Sequence, residues 1–300
     1  MEKVFYICTY GGSGSRMLES WFKQYGITYH VHDPYPPEIL THCQSLHQKY
    51  NPDFDNYDDF EVTEAGEKYE VIKGRKRKTI RIYGFDLNCW GGEELDLNKY
   101  KPYVIYVYSK PECSIWSRCE PSHWQSLHVP NNTIKKVCDL INIPIEIEAG
   151  TGRYQDTLIF DRRTENTNKI NSIKYLNLDH DHLGYERFFY NYACVPKSYD
   201  ILLLNYHYLW ENLEPLFDYC GIPLEDIQKF PRQRVPSWEK TIRYWDSPTS
   251  TWEEQEYSGP APLLEKAHNG MFKVLNDAIN KLPKLGENRK HNNNNKKKEL

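Results

Sequence analysis

A glycine- and serine-rich segment near the N-terminus has the composition of an anion-binding loop. It follows the apolar, β-rich run Val4 to Thr9 and contains Gly11, Gly12, Ser13, Gly14, Ser15 and Arg16. A glycine-rich turn between a strand and a helix lets backbone N–H groups converge on an anion, and the positive end of the helix dipole adds to the attraction. Serine hydroxyls and an arginine fork can supply further donors. The segment predicts a phosphate-binding loop, while an ordinary tight strand-to-helix turn would also use these glycines.

The loop does not match the Walker A pattern of ATPases and many kinases. That pattern, GxxxxGK[ST], needs a lysine directly before a hydroxyl residue, and no lysine occurs between Thr9 and Leu18. The loop therefore weighs against an ordinary ATPase or kinase.

Strand and helix patterns alternate along the chain, which is typical of an α/β protein. Apolar runs predict strands at Val4 to Thr9, Ile27 to His32, Tyr103 to Tyr108 and Ile201 to Leu204. Helical patterns follow at Met17 to Tyr25, after Pro111 as far as Trp116, at Leu209 to Tyr219 and at Pro262 to Leu282. We expect a mainly parallel central sheet with helices on both faces. Ligands of such sheets bind beyond the carboxyl ends of the strands, where the loops after Thr9 and Tyr108 lie.

The chain is expected to form one α/β domain over residues 1–285. Residues 51–78, acidic and then basic, are interpreted as a solvated hairpin or insertion. The Asn- and Lys-rich residues 286–300 have too little apolar content to fold and are expected to be disordered.

Composition excludes several function classes. A net charge of −4 and a pI near 6.3 do not suggest nucleic-acid binding. No apolar run approaches the ~20 residues of a membrane span, and the N-terminus lacks the pattern of a secretory signal, so we expect a soluble, cytoplasmic protein. The 8 cysteines form no CxxC pair, which predicts reduced thiols and no metal site.

The loop sequence resembles that of a known family. Thr9 to Leu18, TYGGSGSRML, is similar to the 5′-phosphosulfate loop of the sulfotransferases, commonly TYPKSGTTWL. A second similarity follows the strand Val104 to Tyr108. There Ser109-Lys110-Pro111, with Ser117 eight residues after Ser109, stands where the family has an Arg and a Ser that bind the 3′-phosphate.

A third similarity lies further along the chain. Ile201 to Leu209 resembles the family's strand with its YEDL-like end, and Phe217 to Pro223 resembles the following helix stop. Arg232-Gln233-Arg234 then stands about where a basic segment meets the 3′-phosphate. The three similarities occur in the family's order and span most of the chain.

The resemblance implies a P-loop NTPase-like sulfotransferase architecture. The implied reaction moves a sulfuryl group from 3′-phosphoadenosine 5′-phosphosulfate to a hydroxyl of a small-molecule or carbohydrate acceptor. The donor-site residues it implies are Gly11, Gly12, Ser13, Gly14, Ser15, Arg16, Ser109, Lys110, Ser117, Tyr206, Arg232 and Arg234. Arg16 is the expected catalytic residue, and no metal is expected.

The sequence departs from the family pattern at two basic positions. Gly12 stands where the family has Lys or Arg, and Arg16 is the candidate substitute. Ser109 stands where the family has Arg, for which Lys110 or Arg118 could compensate. Each lost charged contact typically costs about 1.5–3 kcal/mol.

The general base is left unassigned by the sequence. The candidates are Asp86, Glu93 and Glu94 before the central strand, and His30 and His32 near the first loop. For any one carboxylate a solvated surface role competes with catalysis, and a lone His is more often structural.

Two alternatives stay open. One is a protein with the sulfotransferase fold that binds a nucleotide or glycan without catalysis. The other is a different P-loop-type small-molecule kinase, which needs a Mg²⁺-binding acidic residue at a strand end.

Overall fold

A four-stranded parallel sheet forms the centre of the fold. In the computed structural model, side chains are described for residues 1–43, 90, 93–118, 129, 133–143, 171–232 and 270–282, and the backbone alone for the remaining residues of the strands and helices given below. The strands are β1 (Glu2–Cys8), β2 (Ile27–Val31), β3 (Thr41–Cys43), β4 (Glu61–Val62), β5 (Lys68–Ile72), β6 (Arg75–Tyr83), β7 (Trp90–Glu94), β8 (Tyr100–Tyr108), β9 (Ile145–Ala149), β10 (Tyr154–Asp161), β11 (Ile201–Asn205), β12 (Ile242–Asp246) and β13 (Thr251–Gln255). The α-helices are α1 (Ser15–Phe22), α2 (Pro111–Arg118), α3 (Asn131–Leu140), α4 (Glu165–Leu176), α5 (Tyr185–Ala193), α6 (Leu213–Tyr219) and α7 (Lys273–Lys281).

The central sheet has the order β11-β8-β1-β2, and every pair in it is parallel. Its strands are the four apolar runs that the sequence predicts. Ile7 lies opposite Ile105 of β8, and Val4 lies opposite Ile27 of β2. The expectation of an α/β protein with a parallel sheet is confirmed.

Helices cover both faces of this sheet because, past their first residues, both inner strands are buried at every position. Phe5 and Ile7 of β1 face a cluster that includes Leu18 and Phe22 of α1. Tyr6 and Cys8 point to the opposite face, as the two-residue period of a strand requires. That second face is covered by side chains of α3, α5 and α7, among them Ile134, Val137, Phe188, Tyr192, Leu275 and Ile279.

The helix predicted at Leu209 to Tyr219 is shorter in the structure. Two 3₁₀ turns, Tyr206–Tyr208 and Trp210–Asn212, precede α6, which begins only at Leu213. Pro215 explains this start, since proline has no N–H to continue an α-helical ladder and is tolerated only in the first turn. Of the helix predicted at Pro262 to Leu282, α7 is described, and residues 262–269 lie outside the described residues.

Antiparallel strands form the other sheets. The largest has the order β4-β5-β6-β10-β9, and the others pair β12 with β13 and β3 with β7. Within the segment interpreted as a hairpin or insertion, β5 pairs antiparallel with β6. The tail 286–300 lies outside the described residues. None of the described helices is both long enough and apolar enough to cross a membrane.

Tyr106 of β8 provides a test of the core. Its ring stacks on Tyr192 at 4.8 Å between centroids, and no described residue bonds its buried hydroxyl. A buried hydroxyl without a hydrogen bond destabilises the folded state. We expect Tyr106→Phe to raise the free energy of unfolding by about 1 kcal/mol, measured by urea denaturation. The matched variant Tyr185→Phe should lower it by about 1–2 kcal/mol, because that hydroxyl donates to the Ser109 carbonyl at 2.6 Å. A loss of stability in Tyr106→Phe equal to that of Tyr185→Phe would contradict this account.

Candidate functional site

The loop between β1 and α1 has a backbone that only glycine adopts readily. Gly11, Gly12 and Gly14 have φ angles of +116°, +70° and +67°. Thr9 Oγ1 accepts a hydrogen bond from the Gly11 N–H at 2.9 Å, and Ser13 Oγ donates to the Gly11 carbonyl at 3.3 Å. Gly14 is the N-cap of α1, and no side chain caps this helix start. The loop therefore presents the backbone of a helix N-terminus in the arrangement that suits an anion.

Each of the three glycines is in close contact with a residue from one of two distant segments. A β-carbon added to Gly11 would lie 2.1 Å from Nε of Arg118, and one added to Gly12 would lie 2.8 Å from Cβ of Ser117. A β-carbon on Gly14 would lie 2.3 Å from the ring of Tyr206. The end of α2 and the turn after β11 thus meet at the loop.

Gly12 gives a test of how tightly α2 closes on the loop. We expect Gly12→Ala to lower the free energy of unfolding by about 2 kcal/mol, because the left-handed backbone costs about 1–2 kcal/mol and Ser117 blocks the new methyl group. Urea denaturation measures the loss. Repeating the change in a Ser117→Gly background removes the side-chain contact and leaves the backbone strain. The loss should then be smaller but not zero, and an equal loss in both backgrounds would show that Ser117 does not crowd Gly12.

Two arginines bring positive charge to the loop. Arg118 lies against Gly11, while Arg16 is an exposed residue of the first turn of α1. Burial and the nearby charge of Arg16 lower the pKa of Arg118 to about 10, which leaves it charged at neutral pH. Two guanidinium groups that repel each other beside a glycine loop favour a bound anion.

His32 positions Arg118. Its Nδ1 lies 2.8 Å from the Thr9 carbonyl oxygen, and Arg118 Nη2 lies 3.4 Å from its Nε2. A carbonyl oxygen only accepts, so Nδ1 carries the proton and Nε2 accepts from the guanidinium. The backbone at the end of β1 therefore orients Arg118 through the imidazole. His32 appears in the sequence as a candidate base, and the structure instead gives it contacts that position the arginine.

His30, two residues earlier, contacts the first residue of α1. Its Nε2 lies 2.9 Å from Ser15 Oγ, and its Nδ1 lies 3.4 Å from Glu19 Oε2. Ser15 is the first residue of α1 and is only 3% exposed. A hydroxyl of the loop is thus linked through an imidazole to a carboxylate. Glu19 had no place in the sequence prediction, although its position four residues after Ser15 puts both on one helix face.

Comparisons of this chain with models of protein families, with curated proteins and with solved structures found no match. The function is therefore inferred from the site itself. Among the described residues, no group of three His, Cys, Asp or Glu side chains could hold a metal ion.

Ser109 and Lys110 occupy different surroundings from the loop-facing residues. Ser109 is fully buried, and its Oγ lies 2.6 Å from Ser114 Oγ. Lys110 is exposed, and its backbone N–H donates to Nε2 of His207 at 3.4 Å. Burial and the charge of Lys110 lower the pKa of His207 to about 4, so His207 is neutral at pH 7. The Ser109 side chain is therefore buried against α2. Of the two residues that could compensate for the missing arginine, Arg118 is the one that contacts the glycine loop.

The remaining predicted residues are not brought to the loop by any described contact. Arg232 is exposed three residues after the 3₁₀ turn Leu224–Lys229, and Arg234 lies outside the described residues. Glu93 and Glu94 are exposed on β7, which pairs with β3, and Asp86 lies outside the described residues.

A cavity of about 480 Å³ opens at the start of α5 rather than at the glycine loop. Asp181 lines it and accepts from the N–H groups of Gly184 and Glu186 and from the Tyr175 hydroxyl. These bonds cap α5, which assigns Asp181 a structural role.

Proposed function

We propose that the protein is a sulfotransferase-like enzyme that moves a sulfuryl group from 3′-phosphoadenosine 5′-phosphosulfate to a hydroxyl acceptor. The observation that carries this proposal is that two distant segments, the end of α2 and the turn after β11, meet at the glycine loop. Arg118, Ser117 and Tyr206 contact Gly11, Gly12 and Gly14 in turn. Ser117 and Tyr206 are two of the residues that the sequence resemblance implies for the donor site. Their convergence supports a single donor site.

The fold supports the same proposal. The loop follows β1, an inner strand of a parallel sheet, and α2 follows the neighbouring strand β8. In such sheets ligands bind at the carboxyl ends of adjacent strands. A P-loop-like sulfotransferase architecture is the form of α/β fold that we infer.

The residues of the loop have distinct tasks in this reaction. The backbone at the start of α1, with Ser13 and Ser15, would bind the 5′-phosphosulfate. Ser117, with Arg232 or Arg234, would bind the 3′-phosphate, and Tyr206 would contact the sugar or base. During transfer the acceptor oxygen bonds to sulfur while the bond from sulfur to the phosphate oxygen breaks, and the acceptor loses its proton to a base. Negative charge then grows on the leaving phosphate, where Arg118 and Arg16 would stabilise it.

Arg118 would supply the positive charge that a basic residue at position 12 provides in the family. A side chain on Gly12 would collide with Ser117, so the loop has no room for the family's lysine. The guanidinium of Arg118 lies against the adjacent Gly11 instead. We infer that the positive charge of the donor site comes from the end of α2 rather than from the loop. The acceptor we infer is a small molecule or a carbohydrate.

Calorimetric titration with 3′-phosphoadenosine 5′-phosphate, the expected co-product, tests the proposal. We expect a dissociation constant in the micromolar range, which corresponds to a binding free energy of about −8 kcal/mol. AMP, which lacks the 3′-phosphate, and ATP should bind more weakly. A preference for ATP, or no binding, would refute the sulfotransferase assignment.

A further inference from the structure

Glu19, His30 and Ser15 form a chain of side-chain contacts that determines which nitrogen of His30 carries the proton. Glu19 Oε1 accepts from Lys23 at 2.7 Å, and its Oε2 faces Nδ1 of His30. A carboxylate beside Nδ1 favours the tautomer with the proton on Nδ1. Nε2 of the neutral ring is then an acceptor, so the Ser15 hydroxyl donates to it across 2.9 Å.

A Ser15 hydroxyl that donates to His30 cannot donate to an anion. A serine hydroxyl has a single hydrogen, and Ser15 uses it on His30 while the ring is neutral. Its oxygen lone pairs are then what it can offer to a ligand in the loop. An oxyanion needs a donor, so neutral His30 opposes the contribution of Ser15 to anion binding.

We propose that Glu19 and His30 are positioning residues that set the direction of the Ser15 hydroxyl, so that binding of an oxyanion to the loop takes up one proton at His30. The protonated ring donates from Nε2 to Ser15 Oγ, and the Ser15 O–H turns to the anion. The proton comes from solvent, and no covalent bond other than the new N–H changes. This inference rests on the anion-binding loop of the proposed function and adds its pH dependence.

The charges around His30 set the sign of this effect. Burial lowers its pKa to about 4, Glu19 opposes that shift, and Arg118, Arg16 and Lys23 add to it. The ring of His32 lies 4.4 Å away, and these are the titratable and charged groups of α1, α2 and β2 that the structure describes near it. An anion beside the two arginines offsets their positive charge and raises the pKa of His30. Protons are then taken up on binding at any pH between the pKa of His30 in the free protein and its higher pKa in the complex. Within that range the affinity for the anion rises as the pH falls.

Adenosine 5′-phosphosulfate is a suitable probe, because its phosphosulfate group does not change charge between neutral and mildly acidic pH. We would titrate it calorimetrically at about pH 5.5 and 7.5 in buffers of different ionisation enthalpy, which counts the protons bound. We expect about tenfold tighter binding at the lower pH and an uptake approaching one proton. A nuclear magnetic resonance titration of the His30 ring should show its pKa rising when the probe is added. Equal affinity at both pH values with no proton uptake would overturn the proposal.

Glu19→Gln separates positioning from a merely structural role. The glutamine amide can donate to Nδ1, which allows the neutral ring to carry its proton on Nε2 and donate to Ser15. We expect this variant to take up almost no proton and to bind at pH 7.5 about as tightly as the unaltered protein binds at pH 5.5. Ser15→Ala should bind weakly at both pH values and show a smaller pH dependence, since the anion then acts on His30 only through the charges around it. If Glu19 only supports the fold, Glu19→Gln will weaken binding at both pH values and leave the proton uptake unchanged.

The same titrations distinguish this inference from the proposed function. Equal affinity for AMP and 3′-phosphoadenosine 5′-phosphate would refute the 3′-phosphate site, while the proton uptake on binding adenosine 5′-phosphosulfate would still decide the role of His30. Failure of both compounds to bind at either pH would refute the oxyanion loop and this inference together.

Discussion

Replacing Arg118 with methionine should weaken binding of 3′-phosphoadenosine 5′-phosphate by about 10- to 150-fold. The change removes one charged contact to a phosphate group, which is worth about 1.5–3 kcal/mol. Methionine has a similar length and no charge, so the packing against Gly11 is largely kept. Calorimetric titration of the two proteins at one pH and one salt concentration measures the difference.

The stability of the ligand-free variant is the control for this prediction. The charge of Arg118 is disfavoured by burial and by Arg16. Replacing a desolvated charge with an apolar side chain of similar volume is often neutral or stabilising, so we expect the free energy of unfolding to change by less than about 1 kcal/mol. Arg118→Lys should recover only part of the affinity, since an ammonium group cannot bind an oxyanion with a planar fork. An Arg118→Met protein that binds the nucleotide as tightly as the unaltered protein would remove Arg118 from the donor site.

Replacing Arg16 with alanine should lower the turnover rate strongly and leave the free energy of unfolding almost unchanged. Removing one preorganised donor from a developing negative charge typically lowers turnover by about 10²- to 10³-fold. Arg16 is exposed on α1, so the free energy of unfolding should change by less than about 0.5 kcal/mol. Turnover is measured as release of 3′-phosphoadenosine 5′-phosphate with a hydroxyl acceptor selected from a panel of sugars and alcohols.

Lys101→Ala is the matched control for Arg16→Ala. Lys101 is an exposed cation near the start of β8, at the opposite end of the sheet from the loop. Its removal changes the net charge equally and should leave turnover unaltered. Unchanged turnover in Arg16→Ala would show that Arg16 is not the catalytic residue, and Arg118 would then be the cation to test in its place.

Local patterns were enough to predict the elements that carry the loop. The apolar run of β1, the glycines after it and the spacing of Leu18 and Phe22 in α1 are all contained in one short stretch of chain. Such features depend on backbone geometry and on one buried face, which the sequence shows directly. The same holds for β8 and β11, whose apolar runs are unambiguous.

The roles of individual side chains were harder to predict because they depend on contacts between distant residues. His32 is separated from Arg118 by 86 residues, and no sequence pattern shows that its ring orients that guanidinium. The resemblance places Ser109 at an arginine position, yet the structure buries it against Ser114. Glu19 was missed because a single acidic residue on an amphipathic helix is usually solvated. Its partner on β2 becomes visible only when the strand packs beside the helix.

The close approach of Gly12 to Ser117 limits how the loop can change by mutation. A lysine at position 12 and the present position of α2 exclude each other, since even a β-carbon would lie 2.8 Å from that of Ser117. A single substitution that introduces a basic residue into the loop would therefore meet steric conflict and backbone strain before its charge could contribute. A chain with lysine at position 12 and the present α2 would carry this conflict and strain, so we expect it to be less stable than the unaltered protein. Moving the cation from the end of α2 to the loop needs coordinated changes at both segments, so the effect of a substitution at position 12 depends on what stands at positions 117 and 118.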